Sequence, residues 1–388
     1  MTDPTAPAAR PAAPAVFPGG PGLFRLDPEI AHLNHGSFGA VPVPVQEAQA
    51  VLREEAHADP DAFFIGVAER IAGARARVAR HLGADDPEGI AFIANATEGA
   101  NLALDAVQFA DGDEILVTDH GYGTVTAAAA RRARVTTVNL DPYLPDEDAV
   151  RETVLAGLTP RTKVAVLDHI SSPTARLIAS PRLLADLAAR GVTTIVDGAH
   201  APGMVANPLA AGADFWFGNL HKWAYAPSGS AVLAVAPAHR GRVRALVPSW
   251  EDAHGFPRSV ENRATADYTG WLAAPEGLDL LERLDAGKVR AHNGALAAHG
   301  AALLAEIPGL TPLPYTEGLA MRALRLPPGT AGTQEAARAL RERIAAERGI
   351  RVLVWPWPGG GGIRVCGQIY NRPEEYERLA AELPAFLA

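Results

Sequence analysis

The chain has 388 residues, 48% of them hydrophobic and 20% charged, an ordinary globular composition with room for two domains at roughly 150 residues each. Acidic residues outnumber basic ones 44 to 35 and no run of Lys or Arg breaks the pattern, which argues against a nucleic-acid or anionic-membrane surface. A single Cys rules out a disulfide framework within the chain and a multi-Cys metal site, and no apolar stretch approaches the ~18 residues of a membrane span. The expectation is a cytoplasmic enzyme or binding protein for small molecules, without a metal.

In chain order, Met1 to Gly22 is rich in Ala, Pro and Gly and lacks a continuous apolar core, so it reads as a flexible tail, residues 1–23, and not as a secretory signal. Two helices are expected next, Val45–Ala58 and Gly66–Leu82, the second stopped by Gly83. Short β-rich runs then recur at Ile90–Asn95, Glu114–Thr118, Arg134–Leu140, Lys163–Ile170, Val192–Asp197, Phe215–Phe217 and Ala231–Val235. Several are nearly continuous in Val, Ile, Leu and Thr, as strands buried on both faces of a mostly parallel sheet should be. Stretches of helical length such as Pro181–Arg190 separate most of them, and the alternation predicts α/β architecture. Beyond Pro248 the pattern changes. A helical region from Glu276 to Ile307 is interrupted near Gly287. A strand at Ala320–Leu326, a helix at Gln334–Arg348, a strand at Arg351–Trp355, a Gly-rich turn, a strand around Arg364 and a helix at Pro373–Leu387 follow. The expected organisation is a large α/β domain over residues 24–266, with a mostly parallel seven-stranded sheet, and a smaller α+β domain over residues 267–388.

The most informative stretch is Asp197-Gly-Ala-His200, at the end of one expected strand, followed by Phe217-Gly-Asn-Leu-His221-Lys222-Trp223 one strand later. Strand carboxyl ends of an open α/β sheet face the ligand crevice, so a carboxylate and an amine would share one rim. That pair suits pyridoxal phosphate: Lys222 for the Schiff base and Asp197 for the pyridinium nitrogen, whose proton makes the ring an electron sink. Asn95-Ala96-Thr97-Glu98-Gly99 follows a strand and opens a helix, and its backbone N–H groups with the Thr97 hydroxyl make an anion site. A dinucleotide site is disfavoured, since no Gly-x-Gly-x-x-Gly turn follows the early strands.

With Leu33-Asn-His-Gly-Ser-Phe-Gly39, Asp119-His-Gly-Tyr122, Asp168-His-Ile-Ser-Ser172 and Ile363-Arg-Val-Cys-Gly-Gln-Ile-Tyr-Asn371 in the same order, these motifs resemble the class V aminotransferase family of fold type I pyridoxal phosphate enzymes. Within it the likeness is to the isopenicillin N epimerase group, and it runs from Phe24 to Leu387. The resemblance implies a cofactor phosphate on Ala96, Thr97, Glu98 and His221, with Asn219 and the partner-reaching Thr265 in positions whose surroundings depart from the family pattern. It implies Tyr122, or else His120, over the pyridine ring, and Ser172 and His200 as further cofactor contacts. It implies Arg364 as a bidentate grip on a substrate α-carboxylate, with Asn34 and His35 of an N-terminal loop at 33–39, and Tyr370 and Asn371, as further substrate contacts.

The function so implied is chemistry at the α-carbon of a small amino-acid substrate by a homodimer, first as an epimerase. A carbon–sulfur lyase acting on a cysteine conjugate or its sulfoxide and an aminotransferase are alternatives on the same residues. A binding or regulatory protein on this fold, without turnover, is the rival outside enzymes. Desulfurase chemistry is disfavoured because Cys366, two residues past Arg364 and on the same strand, reads as a small core residue, and no other thiol exists.

Overall fold

The computed structural model describes residues 12–357 and 359–387, so residues 1–11 of the expected tail lie outside it. Two compact units form, one of residues 36–286 and one of residues 12–35 with 287–387.

In the larger unit each of the seven β-rich runs becomes a strand: β1 Ile90–Ile93, β2 Glu114–Thr118, β3 Arg134–Val138, β4 Thr162–Asp168, β5 Thr193–Asp197, β6 Phe215–Asn219 and β7 Ala231–Val235. They make one sheet in the order β1-β7-β6-β5-β4-β2-β3. Neighbours from β6 across to β3 run parallel, while β7 is antiparallel to both β6 and β1. β1, β2 and β6 are buried along their whole length, which is why their sequences show apolar runs and no alternation. Register sets Asp168, the last residue of β4, beside Asp197, the last of β5. The carboxyl ends of the parallel strands therefore gather into one rim.

Local signals explain most helix ends. Gly83 takes the left-handed conformation, φ 74°, that closes the helix Val67–Leu82. Ser180 accepts a hydrogen bond from the Leu183 N–H and, with Pro181 behind it, starts Pro181–Ala188. The helix expected from Glu276 begins earlier, at Thr269, and carries Pro275 inside it. Its break from the next helix, Ala286–Ala305, falls at Asp285 with φ 63°, not at Gly287. Thr269–Arg283 belongs to the larger unit, so the division between units lies at Ala286 and not at residue 266.

In the smaller unit β8 Thr311–Pro312, β9 Met321–Arg325, β10 Leu353–Trp355 and β11 Gly362–Cys366 form an antiparallel sheet in the order β10-β11-β9-β8. Ala31–His32 pairs in parallel with Ile350–Arg351. The core of this unit joins Leu33, Leu304, Leu324, Ile344, Ile363 and Leu379. The last helix is Pro373–Glu382, followed by a 3-10 turn at Leu383–Phe386 in which Pro384 has no N–H to continue the α-helix. Two points of the N-terminal stretch are packed: the Phe17 ring meets His292 edge-on at 5.2 Å, and a Cβ at Gly20 would lie 2.1 Å from the Ile369 carbonyl. Among the described residues, no helix is long and apolar enough to cross a membrane.

Candidate active site

Asp197 is buried at the end of β5, and its Oδ1 accepts from the Ala199 N–H at 2.9 Å. Burial raises its pKa and the Lys222 charge opposes that rise. Asp168 beside it is equally buried, and its Oδ2 has no hydrogen-bond partner among the described residues. Burial first, then the Asp197 charge, push the Asp168 carboxyl well above the ordinary range. The upward push is the greater at Asp168, whose carboxyl lacks the N–H donor that Asp197 holds. Nothing in the sequence marked Asp168 as part of the site beyond its place in a motif, because its neighbour is set by sheet register.

β6 runs straight into a single helical turn, Leu220–Trp223, which carries Lys222. Two glycines let other segments close on this turn. Gly203, φ 82°, lies where a Cβ would come 2.1 Å from the Trp223 carbonyl, and Gly39, φ 78°, where one would come 1.9 Å from the His221 carbonyl. The loop after β5 thereby brings His200 Nε2 to 3.4 Å from Lys222 Nζ, while the Trp223 indole donates to His200 Nδ1 at 3.3 Å. A second indole, that of Trp216, donates to His169 Nδ1 at 3.2 Å.

His221 was expected to offer a donor to phosphate. Here its Nδ1–H donates to the Ser230 carbonyl at 3.2 Å, and burial followed by the Lys222 charge lowers its pKa to about 4. The neutral ring then has Nε2 as an acceptor, so a phosphate oxygen there has to bring a proton or have the ring take one up.

The helix Ala96–Asp105 opens with reciprocal capping. Asn95 accepts from the Glu98 N–H at 3.0 Å, and Glu98 Oε2 accepts from the Ala94 N–H at 2.8 Å. Asn219, at the end of β6, accepts from the Ala96 N–H at 2.9 Å and ties this helix start to the lysine turn. The N–H groups of Ala96 and Glu98 are thus engaged by side chains, and the Glu98 carboxylate also pairs with Arg263. The Thr97 hydroxyl lies 3.5 Å from that of Thr124, on the helix Gly123–Ala130. His120 is buried, with Nε2 donating to the Leu140 carbonyl at 3.0 Å and Nδ1 3.3 Å from the Thr174 hydroxyl, whereas Tyr122 is 53% exposed. Ser172 is half-buried just past β4, and Thr265 stands exposed after Ala264, φ 56°.

In the smaller unit Arg364 is fully buried on β11, and its Nη2 donates to Asn34 Oδ1 at 3.2 Å, joining two of the expected substrate contacts. Burial lowers the guanidinium pKa. The Gln368 amide is oriented by the Ile369 N–H, which donates to its Oε1 at 2.8 Å, so its Nε2 donates to His35 Nε2 at 3.1 Å. The remaining His35 proton, on Nδ1, then donates to the Tyr370 hydroxyl at 3.1 Å. His35 and Tyr370 are therefore members of a buried network with Gln368, which the sequence did not single out. Asn371 is buried too, accepting from the Gln368 N–H at 3.0 Å. Cys366 is buried beside them.

By chemistry the rim of the larger unit fits pyridoxal phosphate. A buried carboxylate at Asp197 matches a protonated ring nitrogen, the Lys222 amine an aldehyde, and a helix start an anionic group. The comparisons with known proteins agree. The family model for class-V aminotransferases matches residues 53–379. The isopenicillin N epimerase of Streptomyces clavuligerus is 34% identical over 93% of this chain and 96% of its own length. An L-cysteine desulfhydrase of Arabidopsis thaliana is 27% identical over 90% of this chain and 86% of its own. A cystine C–S lyase, solved in complex with its reaction product cysteine persulfide, shares the fold at a TM-score of 0.79 and 21% identity, over 95% of this chain and 98% of that one. The chain belongs to the class-V aminotransferase family, and it is an enzyme that works with pyridoxal phosphate.

Proposed function

We propose that the enzyme is an epimerase that inverts the α-carbon of an amino acid, acting as a homodimer in the cytoplasm. The observation that carries this reading is the similarity to the Streptomyces epimerase over nearly the whole of both chains. When bound, pyridoxal phosphate supplies a sink for the electron pair left at Cα when a proton departs. Asp197 holds a proton on the ring nitrogen. Lys222 first fastens the cofactor, then takes the Cα proton as general base. Arg364 and Asn34 would serve the substrate carboxylate, and Tyr122, with its exposed ring, would be the cofactor-ring partner in preference to the hydrogen-bonded His120. Thr97 and Asn219 mark the phosphate end.

A second reading, a carbon–sulfur lyase, is favoured by the similarity to the Arabidopsis desulfhydrase. Candidate amino acids offered in deuterated water separate the two. Deuterium at Cα with loss of optical purity and an intact side chain supports the epimerase. Pyruvate with ammonia and a sulfur product replaces it by the lyase. Lys222→Ala is expected to abolish both turnover and the visible absorption band of covalently held cofactor, and a borohydride-reducible linkage persisting in that variant would refute the role of Lys222.

A further inference from the structure

The contact between His200 and Lys222 has a direction that its neighbour decides. An indole nitrogen can donate a hydrogen bond and cannot accept one. The Trp223 N–H at 3.3 Å from His200 Nδ1 therefore meets a bare nitrogen, and the ring proton sits on Nε2. That Nε2–H points to Lys222 Nζ at 3.4 Å. An ammonium group has three donors and no lone pair, so the contact is a hydrogen bond only when the lysine is a neutral amine.

We propose that Trp223 is a positioning residue: its indole locks His200 as the Nε2–H tautomer, and His200 then donates to Lys222 and holds that amine neutral and nucleophilic. Trp223 is buried, and the loop carrying His200 is held against it by the close approach at Gly203, so the alignment is built into the packing. Among the described residues, Asp197, Asp168, His221 and His200 act on the amine. Asp197 from β5 and Asp168 from β4 favour the ammonium form to the extent that they are ionised. His221, on the same turn, is neutral near pH 7 with its own proton spent on the Ser230 carbonyl. His200, from the loop after β5, is the group that selects the amine.

The inference rests on the reading of Lys222 as the residue that fastens the cofactor. In that step the amine lone pair forms the N–C bond to the aldehyde carbon, and the carbonyl oxygen leaves as water with both amine hydrogens.

The test uses the full-length chain freed of cofactor. The rate at which added pyridoxal phosphate generates the visible band is followed against pH, beside 15N shifts of the His200 ring. Wild type should show an unprotonated Nδ1. Trp223→Phe and His200→Leu should each raise the pH midpoint of attachment by about one unit and slow it about tenfold at pH 7, the size of one buried hydrogen bond. His200→Gln should keep the wild-type midpoint, because its amide oxygen accepts from the indole while its N–H donates onward. A protonated Nδ1 in wild type, or unchanged midpoints in both Trp223→Phe and His200→Leu, overturns the proposal. Should Trp223→Phe fail to fold, the His200→Leu and His200→Gln pair decides. Lys222→Ala keeps the two ideas apart: if it still attaches cofactor, the reading of Lys222 falls as well, and if it does not, unchanged midpoints overturn only the role of Trp223.

Discussion

Asp168 and Asp197 are the same residue type one strand apart, and the structure gives them opposite expected responses to the same substitution. Asp197→Asn should retain cofactor and lose most Cα–deuterium exchange, since an amide cannot balance a ring proton, and exchange within a few-fold of wild type would exclude that role. Burial favours the neutral form of Asp168, so Asp168→Asn should keep both the visible band and exchange. Its effect belongs to stability. The folded pKa of Asp168 is raised above its ordinary value of 3.8, so the stability it contributes is fully present below that value and is lost as pH rises through the folded pKa. The cofactor-free Asp168→Asn variant should therefore melt above wild type near pH 8, and the advantage should vanish toward pH 4. Equal melting temperatures across that range would show an ordinary carboxyl. Arg364 is also decided at this scale. Two parallel charge-assisted hydrogen bonds orient a carboxylate, whereas Lys offers a freely rotating point charge. Arg364→Lys should cut kcat/KM for the amino acid by ~10², about 3 kcal/mol of transition-state stabilisation, and penalise the corresponding amine much less. Equal losses on both substrates would make Arg364 structural.

Between elements, the ion pair of Arg75 and Glu261 does work that no local pattern announces. Arg75, on the helix Val67–Leu82, and Glu261, at the end of the short helix Arg258–Glu261, meet at 2.5 Å and are 4% and 3% exposed. The other Glu261 oxygen accepts from the Phe92 N–H of β1 at 2.9 Å, so a carboxylate covers a backbone donor on the edge strand of the large sheet. Burial, partly offset by Arg75, raises the Glu261 pKa to about 7. Arg75→Met leaves the carboxylate buried without its cation and should destabilise the protein by ~3–5 kcal/mol. The loss should be largest above pH 7 and shrink on acidification, as Glu261 takes a proton. Adding Glu261→Gln, which keeps an acceptor for Phe92, should recover most of it. Chemical denaturation at pH 6 and pH 8 checks both points, and a loss independent of pH would remove the charge from the explanation. The misplaced helix start at Thr269 has a comparable origin. Burial of Trp271, Ala273 and Ala274 draws the turn before Glu276 into the helix, although Pro275 inside it has no N–H to donate.

For the whole molecule, the larger unit leaves Phe38, Val51, Ile65, Val247 and Trp250 between 63% and 94% exposed. Isolated exposed apolar side chains are ordinary, but this many of large size support a second copy as their cover. Light scattering is expected to give twice the chain mass, and Trp250→Glu with Ile65→Glu should shift it toward the monomer. A monomeric wild type would end the homodimer proposal. What the sequence determined by itself were features of short range. β-rich runs marked all seven strands of the large sheet, Gly83 marked a helix end, and the residue types at 197 and 222 pointed to the cofactor. Each depends on residues within a turn or a strand of one another, where propensity and periodicity are physically set. The tertiary structure alone decided that Asp168 lies beside Asp197, that His200 takes its tautomer from Trp223, that Glu261 reaches Arg75 across 186 positions, and that Arg364 meets Asn34 across 330. Strand order and close packing create those pairs only once the core has formed, and burial then shifts the balance between their charged and neutral forms.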